Sequence, residues 1–229
     1  MSTLLDRPLG DVVTTLPGSA RVLESFGLDY CCGGKRPLGA ACAAAGVDPD
    51  VVLHQLTAIA PQQMPDWASM DPAELVDHLE STHHVYLHAE LPRLDALAEK
   101  VAAVHGANHP ELMDVLADVR ELRDDLEPHL MKEERVLFPA IREQVRAAST
   151  GAPAPRLDAP ISVMMTEHDR AGELLAQLRA HTAGFDVPFD GCASYSALYE
   201  GLEQLEADTH QHVHKENNVL FPAVLGARG

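Results

Sequence analysis

A stretch of twelve residues recurs in this chain with four changes. His129-Leu130-Met131-Lys132-Glu133-Glu134-Arg135-Val136-Leu137-Phe138-Pro139-Ala140 returns 83 residues later as His212-Val213-His214-Lys215-Glu216-Asn217-Asn218-Val219-Leu220-Phe221-Pro222-Ala223, with eight of twelve positions identical. A repeat at that spacing makes the two halves copies of one supersecondary unit. The flanking pattern says which unit. Asp71-Pro72-Ala73-Glu74 opens a helical stretch with a cap residue and proline at the first helical position, and the stretch runs to about His105-Gly106. His109-Pro110 opens a second, to about Ala148; a third begins near Pro160 and fades before Gly184; a fourth runs from about Ala193 to Leu225. Period-two alternation is absent throughout residues 71–229, so no strand competes. Four long helices with short connections predict an all-α fold, an antiparallel four-helix bundle built from a duplicated hairpin with a pseudo-twofold axis.

Ahead of the bundle the punctuation is denser. Pro17 and Ser19 precede an apolar run (Ala20, Val22, Leu23, Phe26) that Gly27 stops, Gly46 follows the alanine run at 41–45, and Asp48-Pro49 starts another segment. Three or four short helices are expected there, forming a small helical domain over residues 1–60. Residues 61–70 have no periodicity and read as a linker, which leaves residues 71–229 for the bundle.

Charge narrows the function. Lys and Arg total 17 against 35 Asp and Glu, a formal charge of −18, which repels phosphate backbones and anionic lipid and so argues against nucleic acid and membrane as partners. At 46% hydrophobic the chain can still fill a core, and with 4% aromatics that core must be aliphatic. No run approaches the ~20 apolar residues of a membrane span. Residues 1–8 lack the basic and apolar regions of a secretory signal, so a cytoplasmic location is expected. Four cysteines, two of them adjacent, make no disulfide framework in a chain of this size, and reduced thiols are expected.

Each copy of the repeat holds a His and a Glu four residues apart, hence on one helix face. His129/Glu133 and His212/Glu216 are the chain's two His-x-x-x-Glu pairs, and both are in register with the apolar Leu and Phe that follow them, Leu137-Phe138 and Leu220-Phe221. Exposed pairs would have no reason to share that register, so both are placed on the core side. The same phasing selects one His from each remaining helix. His168 is in phase with Leu175 and Leu178, and His84 with Leu87, Leu91 and Leu94, whereas His83 points with Glu90 and Arg93 toward solvent and His88 is ambiguous. The set is His84, His129, Glu133, His168, His212 and Glu216. Six such donors exceed one tetrahedral zinc. They suit two cations ~3.5–4 Å apart, bridged by the two carboxylates. Nitrogen and oxygen ligation favours iron or manganese and admits zinc. Positions left open on the metals imply small-molecule binding or chemistry. A ferritin-like site is disfavoured, because its Glu-x-x-His spacing occurs once, at Glu80 and His83, without an equivalent in the other half.

This combination resembles the hemerythrin-like cation-binding bundle and, within it, the di-iron proteins that repair iron–sulfur clusters. Two His-x-x-x-Glu helices and a single His on each of the others fit the repair proteins, whereas in oxygen-carrying hemerythrins one pair is His-x-x-x-His; here Gly172 and Met164 flank His168 at four residues. Asp29-Tyr30-Cys31-Cys32-Gly33-Gly34 is similar to the signature of the small domain preceding the bundle in that family. The resemblance implies two non-haem iron ions, oxo- and carboxylate-bridged, held by the same six residues. It also implies damaged iron–sulfur proteins, or NO and O2, as partners, repair by iron donation or NO reduction, and a possible homodimer. An O2 or NO sensor or carrier without turnover is the alternative. Cys31 and Cys32 are the candidate reactive residues: adjacent thiols close a strained ring on oxidation and are better placed to bind metal or NO or to exchange electrons. Packing of a mini-domain is the plain competing role. Cys42 and Cys192 are expected to be packing residues, and His54, His78, His105, His109, His181, His210 and His214 surface groups.

Overall fold

The computed structural model describes residues 4–16, 18–59 and 67–226. Residues 1–3, Pro17 and residues 61–66 of the expected linker lie outside the described residues. Four short helices come first, α1 (Leu9–Thr15), α2 (Ser19–Ser25), α3 (Leu38–Ala45) and α4 (Pro49–Thr57). Their ends follow local chemistry. Asp48 caps α4 by accepting from the Asp50 N–H at 2.9 Å with Pro49 inside the first turn, and Gly46 closes α3 at φ +68°, a conformation costly to residues with a Cβ.

The long helices follow as expected, three of the four with an interruption. They are α5 (Pro72–Leu79) continuing into α6 (Val85–His105), α7 (Leu112–Lys132) into α8 (Phe138–Thr150), α9 (Asp158–His181), and α10 (Ala193–Lys215) into α11 (Phe221–Gly226). A capping box starts α5: Asp71 Oδ1 accepts from the N–H groups of Ala73 and Glu74, and the Glu74 carboxylate accepts from the Asp71 N–H. The interruptions are single π turns at Glu80–His84, Glu133–Leu137 and Glu216–Leu220, in which the N–H of Val85, Phe138 or Phe221 reaches back five residues, to Glu80, Glu133 or Glu216. Pro139 and Pro222 stand just after the second and third, although Pro92 and Pro128 sit inside α6 and α7 without a widened turn. A proline ring has no N–H to give and crowds the carbonyl four residues earlier, which favours a widened preceding turn but does not by itself require one.

Two compact units result, Val76–Thr209 on one hand and Met1–Leu75 with His210–Gly229 on the other. The first is the four-helix core. Leu87, Leu91, Leu94 and Ala98 of α6 pack with Val115, Val119, Leu122 and Leu126 of α7, Leu174 and Leu178 of α9, and Leu198, Leu202 and Leu205 of α10, all essentially inaccessible. Spacings of three and four residues throughout make this an apolar seam, as in other helical bundles. In the second unit Leu9, Val12, Leu23, Tyr30, Leu38, Cys42, Val52 and Leu56 gather with Val213. Among the described residues no helix is long and apolar enough to cross a membrane.

Candidate metal centre

The π turns put the chemistry in place. His84 ends the first, Glu133 begins the second and Glu216 begins the third. π turns recur at functional sites because the extra residue re-aims side chains. All six expected ligands are buried, Glu133 and Glu216 with no exposed surface at all.

Within Val76–Thr209, four of them face one another. Nε2 of His84 and Nε2 of His129 lie at the same 3.4 Å from a single carboxylate oxygen, Glu133 Oε2, and His168 Nε2 is 3.2 Å from His129 Nε2. The opposite ring nitrogens point outward to carboxylates. His84 Nδ1–H donates to Glu134 Oε1 at 2.9 Å, and His129 Nδ1–H donates to Glu167 Oε2 at 2.9 Å. Burial raises the carboxyl of Glu134, but hydrogen bonds from His88 and His84 outweigh it and hold the group below its ordinary value. Glu167 behaves alike, with Lys132 and His129 outweighing burial. Each ionised carboxylate fixes a proton on Nδ1 and leaves the Nε2 lone pair of its histidine aimed inward, the arrangement that orients metal-ligating imidazoles. Phe138 stacks against His84 with ring centres 5.2 Å apart and helps keep water away. In the other unit, His212 Nε2 lies 3.4 Å from Glu216 Oε1, the counterpart of the His129–Glu133 pair.

A cation fits this donor chemistry. Two donors each about 2.1 Å from a shared ion are about 3.4 Å apart at a tetrahedral angle, which is the spacing of both imidazoles from Glu133 Oε2. A dry carboxylate is costly to bury as an anion, and a positive ion among inward-facing lone pairs offsets that cost.

A separate donor cluster forms in the Cys-Cys-Gly-Gly loop. Asp29 Oδ1 accepts from the backbone N–H groups of Cys31 and Cys32, both at 3.0 Å, and from the Cys31 thiol at 3.2 Å. The two sulfurs are 3.9 Å apart as free thiols. The hydrogen bond with Cys32 and burial push the Cys31 thiol well above the ordinary cysteine value, which leaves the partly exposed Cys32 as the accessible sulfur.

Several expected surface groups are inside. His83 is buried and donates from Nδ1 to Asp208 at 2.9 Å. His214 is fully buried, and burial lowers its pKa to about 4, so it stays uncharged at neutral pH. Cys192, expected in a core, is exposed and sits 3.2 Å from His105 Nε2. Distant segments account for each difference, because apolar phasing along one helix is blind to what another part of the chain lays against it. The outer carboxylates Glu134 and Glu167 were also missed. Their signal was adjacency, since each directly neighbours an expected ligand.

Geometry alone thus defines a helical-bundle protein with a buried histidine and carboxylate site of cation-binding chemistry. Residues 75–224 match the hemerythrin HHE cation-binding domain, and residues 5–60 match a domain of unknown function, DUF542. Over 222 residues the chain is 37% identical to the iron-sulfur cluster repair protein YtfE of Escherichia coli O1:K1 and to that of Escherichia fergusonii, covering 96% of this chain and 97% of each relative. Identity to the YtfE protein of Escherichia coli O157:H7 is 36% over the same length. The chain belongs to the hemerythrin HHE family, among its iron–sulfur cluster repair proteins.

Proposed function

We propose that this protein repairs damaged iron–sulfur clusters in the cytoplasm, and that His84, His129, Glu133, His168, His212 and Glu216 together hold two non-haem iron ions, with Glu133 and Glu216 bridging. The observation that carries the reading is the shared oxygen: imidazoles from two helices address one atom of Glu133 at equal distance. Internal duplication extends it, since His212 and Glu216 repeat the His129–Glu133 register 83 residues on. Full-length similarity to YtfE repair proteins supplies the biological direction.

Iron at this site would supply redox chemistry toward NO and a transferable cation. What the chain itself contributes is orientation and exclusion. Glu134 and Glu167 hold the Nδ1 protons of His84 and His129 and so keep both Nε2 atoms available as ligands. The two inaccessible carboxylates set the charge of the pocket, and the aliphatic seam keeps bulk water from it. Cys31 and Cys32 are read as the chain's reactive thiols, carried by a small domain over residues 1–60 that a linker at 61–70 joins to the bundle at 71–229.

Mixing the iron(II)-loaded protein with NO tests the proposal. Release of iron or formation of N2O is the expected result. A stable, reversible adduct with neither product would replace repair by sensing or carriage of the gas.

A further inference from the structure

The two copies of the repeat differ at four positions, and two of those differences change which side chain faces outward. In the first copy Met131 and Arg135 are exposed. Their counterparts, His214 and Asn218, lie against the Cys-Cys-Gly-Gly loop in the unit formed by Met1–Leu75 and His210–Gly229. His214 approaches Thr14 Oγ1 at 3.3 Å and the Tyr30 carbonyl at 3.4 Å, with its ring edge-on to Tyr30 and Trp67. Asn218 Nδ2 donates to the Cys31 carbonyl at 3.0 Å and the Tyr30 carbonyl at 3.3 Å. Glycines make room for it. A Cβ added at Gly10 would fall 2.9 Å from Asn218 Oδ1, and one at Gly34 closer still.

The Cys31 carbonyl belongs to the peptide plane that joins Cys31 to Cys32. That plane is rigid. Its oxygen is held by Asn218 and its N–H, that of Cys32, by Asp29 Oδ1 at 3.0 Å. Two side chains therefore pin opposite edges of one plane, and the orientation of Cys32 follows from both. Asp29 is local to the loop. Asn218 is not: it stands two residues after Glu216, inside the π turn that Glu216 begins.

We propose that Asn218 is a positioning residue that couples cation binding at Glu216 to the exposure of the Cys32 thiol. The inference rests on the reading of His212 and Glu216 as ligands. A cation on Glu216 orders the widened turn, the ordered turn holds the Asn218 amide, and the amide clamps the Cys31–Cys32 peptide. Without the cation the turn loosens and Cys32 becomes easier to reach. Duplication supplies an internal control, because Arg135 holds the same place in the first copy and is exposed.

Iodoacetamide measures the effect, since a thiolate displaces iodide from it to form a stable S–C bond that mass spectrometry assigns to Cys32. The full-length protein is compared with and without iron(II), the iron content of each sample being measured. Cys32 is expected to label about fivefold more slowly, or slower still, in the iron-loaded protein, a modest coupling between two sites. Asn218→Ala and the nearly isosteric Asn218→Asp should still take up iron yet label at the same rate in both states, while Arg135→Ala keeps the difference. Equal rates in the unaltered protein, or a difference that survives in the Asn218 variants, overturn the coupling. Loss of iron from both Asn218 variants would make Asn218 part of the cation site itself and also overturn it. Failure of the unaltered protein to take up iron would instead bring down the ligand reading, and this inference with it.

Discussion

The turns at His129–Glu133 and His212–Glu216 carry the same donors in the same register, yet their outer faces have opposite fates. Met131, Lys132, Arg135 and Val136 are exposed, whereas His214 and Lys215 are buried and Asn218 and Val219 half-buried. The inward-facing His and Glu are common to both copies, whereas two of these four outer positions differ: His214 and Asn218 stand where Met131 and Arg135 stand in the first copy, and both bond to the N-terminal loop, while Lys and Val are kept. The lesson concerns which constraint acts where. The buried His, Glu, Leu and Phe positions are the same in both copies, and two of the positions that differ, His214 and Asn218, are ones that another segment packs against. The contrast reaches the other end of the repeat too. Cys192 lies 83 residues after His109, each just ahead of or near the start of its long helix. Glu111 and Asp190 raise the pKa of His109, while the Tyr195 backbone N–H and His105 lower that of Cys192 to about 7.

If the inner faces are equivalent, removing either ligand pair must do equal damage. His129→Ala and His212→Ala should each abolish loading of the site with two irons, read as iron per chain; retention of full iron by either variant breaks the equivalence. The outer carboxylates come next. Glu134→Ala and Glu167→Ala should weaken metal affinity by about 10- to 100-fold without abolishing it, as loss of groups that orient metal-bound histidines does. A competition titration against a chelator gives that factor.

The Cys192 contrast sharpens the comparison through pH. Its lowered pKa means that the thiolate, the reactive form, is already about half populated near pH 7, against about 1% for a thiol of pKa 9. Alkylation of Cys192 should therefore be half-maximal near pH 7, with reactivity lost as pH falls through that value. His105→Ala should move the midpoint upward. The smallest effects are on stability. His214→Ala should cost about 1–3 kcal/mol through loss of a buried, hydrogen-bonded ring, and Met131→Ala, at the matching exposed position, about 0.5 kcal/mol or less. Urea unfolding of the two variants checks the difference, and equal losses would deny that the outer faces differ.

Much of this was legible in the sequence, for a physical reason. Helices report their own periodicity, so the four rods, three or four short helices ahead of them and, with the repeat, the six buried donors could be read from spacing. His168 and His84 were selected by apolar phasing alone, and both are inaccessible. What the sequence hid were contacts whose partners come from elsewhere. His83 is buried with a bond to Asp208, 125 residues away, and His214 against Thr14 and Tyr30, 200 and 184 residues away. The π turns lay between these extremes. Pro139 and Pro222 were visible in the repeat, and their tendency to widen the preceding turn is a local matter of one missing N–H and one crowded carbonyl. The first π turn, at Glu80–His84, has no proline at the matching place and no such local sign.

The central claim is that the six donors from the duplicated helices share two iron ions. Elemental analysis of the purified protein, run beside Glu133→Ala and Glu216→Ala, tests it most directly. About two irons per chain are expected in the unaltered protein, with neither variant holding the pair, as the proposed bridging role requires. A single zinc with no iron, or two irons still bound after loss of either carboxylate, would contradict it.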